Sequence, residues 1–326
     1  MLCAGDGRPC DLRSGRRPPK PYDCGARRHP DDPFHRMHRD FRFRVAPPLR
    51  TFLFYESHPM EFGFDLLAIL FGVAALAACV DAIAGGGGLI TIPALLWAGV
   101  TPAQALATNK LQGSFGSFTA SLNFIRKGHV NPRDMVLAIV LTFAGSALGT
   151  VLVQMLDPGI LMTILPGLLI LIALYFLFSP RVGDIDAHQL ISKATFAFTA
   201  GFGIGFYDGF FGPGTGSFFS IAFVALLGFN MTKATAHTKV LNFTSNFASL
   251  VMFIAGGEVV WVVGGVMAVG ALLGAQIGSH LVMKVGARLV RPLLVVTSIA
   301  ISIKLIIDQY GTVISQTYDQ IRHWIG

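Results

Sequence analysis

Charge is the scarcest thing in this sequence. Asp, Glu, Lys and Arg make up 13% of its 326 residues, where a soluble globular domain carries about 25%. The shortage is uneven: 13 Lys/Arg and 11 Asp/Glu lie from Met60 onward, while residues 1–59 hold 12 and 7. A body so poor in charge, in a chain that is 53% hydrophobic, cannot cover a soluble surface, and it reads as an all-α polytopic membrane protein with the lipid bilayer as its solvent. Catalytic constellations are missing too. The body has no "HExxH", no "GxSxG" and no cysteine pair, so no enzyme, no metal and no cofactor are expected. Cys79, the one cysteine of the body, reads as a small buried residue. The net charge of +7 comes mostly from the first 59 residues, and no nucleic-acid partner is expected.

That amino-terminal extension, 1–59, is rich in Arg, Pro, Asp and His and has no sustained apolar periodicity, which reads as disorder. It lacks the apolar core of a secretory signal, and its acidic residues do not suit a transit peptide. Cys3, Cys10 and Cys24 fall at irregular spacing. "MEFGFDLLAIL", from Met60, looks like a natural beginning and is the expected start of the chain body.

Spans of about 20 apolar residues cross about 30 Å of hydrocarbon. Candidates are 62–83, 135–155, 159–178, 193–211, 259–283 and 290–307. Between the first two lie shorter apolar runs, 86–99 and 111–125, joined by "VTPAQALATNK". Between the fourth and fifth lie 217–229 and 240–256, joined by "NMTKATAHTK". Each short pair is expected as re-entrant half-helices or tilted, buried spans. Thr101 reads as an N-cap, with Pro102 in the first helical position.

The two halves repeat. An offset of 129 lays Lys110 on Lys239, Phe118 on Phe247, Gly128 on Gly257 and Val130 on Val259, and Asp81 corresponds to Asp208. The expected organisation is a first transmembrane repeat at 60–180, a second at 181–307 and a short tail at 308–326. Each repeat has three full spans plus a short pair, about 8 spans by usual counting. Three crossings per half make the second half enter from the opposite face, which is an inverted repeat. Loop charge agrees if the body starts outside: "RKGHVNPR", the 179–193 loop and the 284–291 loop are basic, while the turns at 156–158 and 256–258 carry only Asp157 and Glu258.

Two acidic residues break this apolar pattern, each followed by a glycine tract: "VDAIAGGGGLITIP" with Asp81 and "YDGFFGPGTGS" with Asp208. An intramembrane carboxylate is costly and marks a functional site by default; the plainer reading makes each one a helix cap. Glycines let a helix open and a ligand approach the freed N–H groups, and the helix starts that follow are positive. The plainer reading there is close helix packing, which accounts for Gly145, Gly149, Gly270, Gly274 and Gly278. No Gly-Lys-Ser/Thr follows, so neither tract is a P-loop.

The binding candidates are Gly85, Gly86, Gly87, Gly88, Gly212, Gly214 and Gly216, with Lys110 and Lys239 from "ATNKLQ" and "AHTKVLN". Asn109, Gln112, His237, Asn242 and Asn246 are possible hydrogen-bonding companions. The lysines face the interior if the short pairs re-enter, and an interface if they span. His237 could shuttle a proton or merely sit at an interface. Asp81 and Asp208 could orient the lysines, hold the broken backbone or carry a coupling proton.

At "DAIAGGGGLITIPALL", "ALATNKLQGSFGS", "GFYDGFFGPGTGSF" and "KATAHTKVLNFTSN" the sequence resembles the sulfite exporter TauE/SafE family, the TSUP permeases, close to its YfcA-like branch of membrane transporters. The likeness covers about residues 60–307. It implies a multi-pass protein of the bacterial cell inner membrane, built of two similar halves, that transports a small anion such as sulfite or a sulfonate. Substrate assignments within the family vary, so the family name does not identify the anion. The expectation is a secondary transporter; the rivals are a passive anion channel and a membrane scaffold or sensor.

Overall fold

Apolar length begins the fold: "FDLLAILFGVAALAACVDAIA" forms α1 (Phe64–Ala84) and stops at Gly85, whose φ of +82° a side chain would resist. The computed structural model describes residues 62–157 and 188–285, with a few positions of the segment between them. After α1 come α2 (Gly88–Trp97), α3 (Pro102–Arg126), a 3-10 turn (Pro132–Met135) and α4 (Val136–Gln154). The second half has α5 (Lys193–Phe196), a π turn (Ala197–Gly201) and α6 (Phe202–Phe210) in one continuous rod. It continues with α7 (Thr215–Leu227), α8 (Met231–Gly256) and α9 (Trp261–Val285). Among the described residues there is no strand. The extension 1–59, the tail 308–326, the span at 290–307 and most of 159–178 lie outside the described residues.

Each rod–short helix pair is a hairpin. Leu66, Leu70 and Ala74 of α1 share a core with Leu95 and Val100, so α2 turns back toward the end where α1 began. In the second half the return is fixed by hydrogen bonds: the N–H groups of Leu190 and Ile191, just before α5, donate to Leu226 O near the end of α7 at 3.0 and 3.3 Å.

The second member of each expected short pair is long. α3 has 25 residues and α8 has 26, about 38 Å of helix each at 1.5 Å per residue. The polar stretches expected as linkers are helical and belong to them. Thr101 caps α3, accepting from Gln104 N–H at 3.4 Å with Pro102 behind it, and Asn230, 129 residues on, caps α8 through Lys233 N–H at 2.9 Å. Among the described residues, three helical stretches are long and apolar enough to cross a membrane: Phe64–Ala84, Pro132–Gln154 and Trp261–Met283.

Small residues set the helix packing. A Cβ at Gly274 would overlap the carbonyl oxygen of Ala75, and one at Gly270 or Gly278 would clash less severely with the carbonyl oxygen of Phe71 or Cys79, so α9 and α1 run parallel with their backbones in contact. Gly205 and Gly209 of α6 meet Thr142 and Ser146 of α4 in the same way. Thr142 and Thr150 donate to Gly201 O and Gly209 O, both at 3.0 Å; the first of these carbonyls belongs to the π turn, where the regular ladder is interrupted. α3 also runs parallel to α9, through Thr108–Val260 and Asn123–Ser279. α8 follows α4 through Ser245–Ser146 and Met252–Gln154. α3 and α8 oppose one another: Gly113 meets Asn246, and Phe118 packs on Phe243.

Candidate functional site

The tips of the two hairpins meet. Gly216 lies so close to Gly85 that a Cβ on either would strike the other's backbone. Ser217 seals the junction, its N–H donating to Gly85 O at 3.3 Å and its hydroxyl to Ala84 O. Only glycine permits two main chains to approach in this way. The other tip has Gly212 at φ +90° and Gly214 at +79°, and Tyr207 ties it down by donating to Pro213 O at 2.7 Å.

Asp81 and Asp208, one on each rod, stand beside these tips and reach lysines of the opposite half. Lys239 Nζ of α8 lies 3.1 Å from Asp81 Oδ2 and also donates to the Asp81 carbonyl. Lys110 Nζ of α3 lies 2.8 Å from Asp208 Oδ1. Both lysine side chains are 1% exposed; Asp208 is 2% exposed and Asp81 is 22%. Charges this deep persist only when paired. The two pairs are crosswise, and the site carries no net charge from these four groups.

The carboxylates also hold the breaks open. Asp81 Oδ1 accepts from Gly87 N–H at 3.2 Å, and its Oδ2 accepts from Asn242 at 3.3 Å. Asp208 Oδ1 accepts from the Thr215 hydroxyl at 2.7 Å. Capping and burial of charge therefore occur in the same side chains, and the two readings of the aspartates are compatible.

Between the tips and the flanks of α3 and α8 lies a cavity of about 30 Å³. The starts of α2 and α7 face it with Gly87, Gly88, Gly214, Thr215 and Gly216, and Asp81, Gly85, Asp208 and Gly212 complete that side. Asn109, Gln112, Asn242 and Asn246 supply amides from α3 and α8. N–H groups in a helix's first turn have no intrahelical acceptor and attract negative charge. The amides are held in turn: Asn109 Oδ1 accepts from the Thr91 hydroxyl and from Gln112 at 3.0 Å.

Three sequence-derived expectations are placed differently. Lys110 and Lys239 sit on long helices, not in linkers, and lie behind the cavity against the aspartates. His237 is away from it, its ring against Phe223 and Phe229 and its Nδ1 2.8 Å from Lys233 O. Gly86 belongs to the turn but does not line the cavity. Thr91, Gly113, Ser117, Thr215 and Ser217 were not singled out from the sequence. The 129-residue offset could have found one pairing: Thr91 and Asn109 map onto Ser220 and Thr238, which bond at 3.1 Å.

The model of the family described as "Sulfite exporter TauE/SafE" matches residues 70–305. A "Probable membrane transporter protein" of Haemophilus influenzae is 53% identical over 250 residues, covering 77% of this chain and 98% of the relative. The "Probable membrane transporter protein YfcA" of Escherichia coli K12 is 51% identical over 261 residues, 80% of this chain and 94% of the relative. The "Probable membrane transporter protein YunE" of Bacillus subtilis is 24% identical over 265 residues. No solved structure matches the chain.

Proposed function

We propose a function for a chain that belongs to the sulfite exporter TauE/SafE family: secondary transport of a small anion, of the size of sulfite or a simple sulfonate. Its relatives are named as membrane transporters, and the chain is a multi-pass membrane protein of that kind. The observation that carries the choice of anion is the cavity between the two helix starts, with amides on its walls and Lys110 and Lys239 immediately behind the aspartates. Its small volume suits an oxyanion and not a large metabolite. Helix starts bind anions through N–H groups and dipole without a cation in contact, and a lysine released from its aspartate adds a full charge.

We read the two halves, 60–180 and 181–307, as an inverted repeat. Support comes from the opposed directions of α3 and α8, the parallel pairings α1–α9 and α4–α6, and the crosswise ion pairs. Arg126, Lys127, Arg133, Lys193 and Lys233 flank the helix ends around Phe124, Val130 and Phe196. Asp65, Asp157 and Glu258 flank the opposite ends. The basic side is then cytoplasmic, in a bacterial inner membrane.

The test is uptake into liposomes of labelled sulfite, thiosulfate and methanesulfonate by the purified protein, alongside a Lys110→Ala/Lys239→Ala variant. Saturable uptake by the natural protein, lost in the variant, is expected. Uptake proportional to concentration without saturation would favour a passive channel. Transport of none of these anions, from correctly folded protein, would remove the small-anion reading and favour a scaffold or sensor.

A further inference from the structure

The anion reading treats the two aspartates alike, and their surroundings do not. Asp81 has donors on both oxygens: Gly87 N–H on Oδ1, Lys239 and Asn242 on Oδ2. Asp208 Oδ1 accepts from Thr215 and lies 2.8 Å from Lys110 Nζ, while Asp208 Oδ2 and Lys110 Nζ are themselves fully buried with no hydrogen-bond partner among the described residues. The difference lies in where the donors fall: Gly87 N–H and Lys239 take separate oxygens of Asp81, whereas Lys110 and Thr215 both approach Oδ1 of Asp208. Asn242, which serves Asp81, maps by the 129-residue offset onto Gly113, which has no side chain to offer Asp208. A buried carboxylate oxygen without a donor is unfavourable, and a proton relieves it by removing the charge that burial penalises.

We propose that Asp208 is the proton-carrying carboxylate of the transport cycle, and that Asp81 stays ionised as the structural brace of its helix break. The inference rests on the cavity being the anion site. Charge supplies the reason for coupling. With both pairs formed, the centre is neutral, and a monoanion entering alone would leave it one charge negative in a buried place. A proton from the aqueous phase forms an O–H bond on Asp208 Oδ2, makes that side chain neutral and frees the Lys110 ammonium for the anion. The centre is neutral again, nothing is oxidised or reduced, and one proton travels with one negative charge.

The neighbours of Asp208 leave it as the group that titrates. α4 turns the hydroxyls of Thr142 and Thr150 to the rod that carries Asp208 and that of Ser146 to Ser245 of α8, all in hydrogen bonds. α8 brings Lys239, held by Asp81 across the cavity. α3 brings Lys110, the tip brings Thr215, and on its own helix Tyr207 is committed to Pro213 O.

Infrared difference spectroscopy on the lipid-reconstituted protein, titrated from neutral to acid, tests this without a substrate. A protonated-carboxyl band lost in Asp208→Asn, shifted in Asp208→Glu and kept in Asp81→Asn is expected. A band that follows Asp81, or none from Asp208, overturns the proposal. The second arm measures labelled methanesulfonate in liposomes loaded with a pH-reporting dye. One proton is expected to enter per anion in the natural protein, and gradient-driven accumulation is expected to vanish in Asp208→Asn. Methanesulfonate uptake indifferent to a pH gradient overturns the coupling and leaves the anion site standing. An Asp208 band in a protein that moves none of the anions removes the anion reading and leaves the proton site.

Discussion

Asp81 and Asp208 occupy corresponding places in the two halves, each at the end of a rod and each paired with the other half's lysine, yet one is held by donors on both oxygens and the other by donors on one. The backbone plan is shared, down to N-caps 129 residues apart. What differs is how the donors are shared: Gly87 and Lys239 take separate oxygens of Asp81, with Asn242 beside Lys239, whereas Lys110 and Thr215 both meet one oxygen of Asp208 and Gly113 stands where Asn242 would. Two stretches of chain with a similar backbone course can thus carry sites of different chemistry, set by where a few donors fall.

Removing each lysine separately makes the largest break in that comparison. Lys110→Met strands a carboxylate that is 2% exposed and is expected to cost about 3–5 kcal/mol. Lys239→Met leaves Asp81 with Gly87, Asn242 and some solvent, for about 1–3 kcal/mol. Thermal unfolding in matched detergent reads both, and equal losses would contradict the asymmetry. Where the halves touch, they should respond alike: Gly85→Ala and Gly216→Ala each force a methyl into backbone, at about 1–3 kcal/mol. A melting temperature unchanged in either variant would show that the tips are not tightly joined.

Gly113→Asn sharpens the comparison by offering Asp208 the amide that Asp81 already has. It is expected to reduce pH-gradient-driven methanesulfonate accumulation about fivefold, near 1 kcal/mol; a protein that accumulates as before would deny Asn242 its role. The smallest effects are expected from the paired hydroxyls. Thr91→Val deletes the buried hydrogen bond to Asn109 of α3, with a long one of 3.5 Å from Gln112, and Ser220→Ala deletes the one to Thr238 of α8, about 0.5–1.5 kcal/mol apiece. Denaturant titration should rank them together, and a fold lost in one alone would contradict equivalence.

Much of this was legible in the sequence. The broken helices showed in the glycine tracts after Asp81 and Asp208, and Thr101-Pro102 announced a helix start. The lengths of α3 and α8 were not legible, because "ATNKLQ" and "AHTKVLN" look like linkers when hydropathy alone is counted. Inside a bundle those polar groups bond to one another and to neighbouring helices, as Asn109 does with Thr91 and Gln112, so the helix need not be apolar to be buried. The sequence offered Asp81 and Asp208 as partners for the lysines but not which meets which: both ion pairs cross over, at separations of 98 and 158 residues, and no local pattern specifies them. His237 was singled out for its chemistry, and its phenylalanine neighbours on α7 and in the following turn become visible only in three dimensions.

The crosswise pairing also sets a timetable for synthesis. Lys110 waits 98 residues for Asp208, and Asp81 waits 158 for Lys239, which at about 5–20 residues per second is roughly 5–20 s and 8–30 s. Throughout that interval the newly made first half carries an unmatched cation and an unmatched anion, neither of which lipid will accept. A chain truncated after α4 would keep Asp81 and Lys110 without the partners they have in the finished protein.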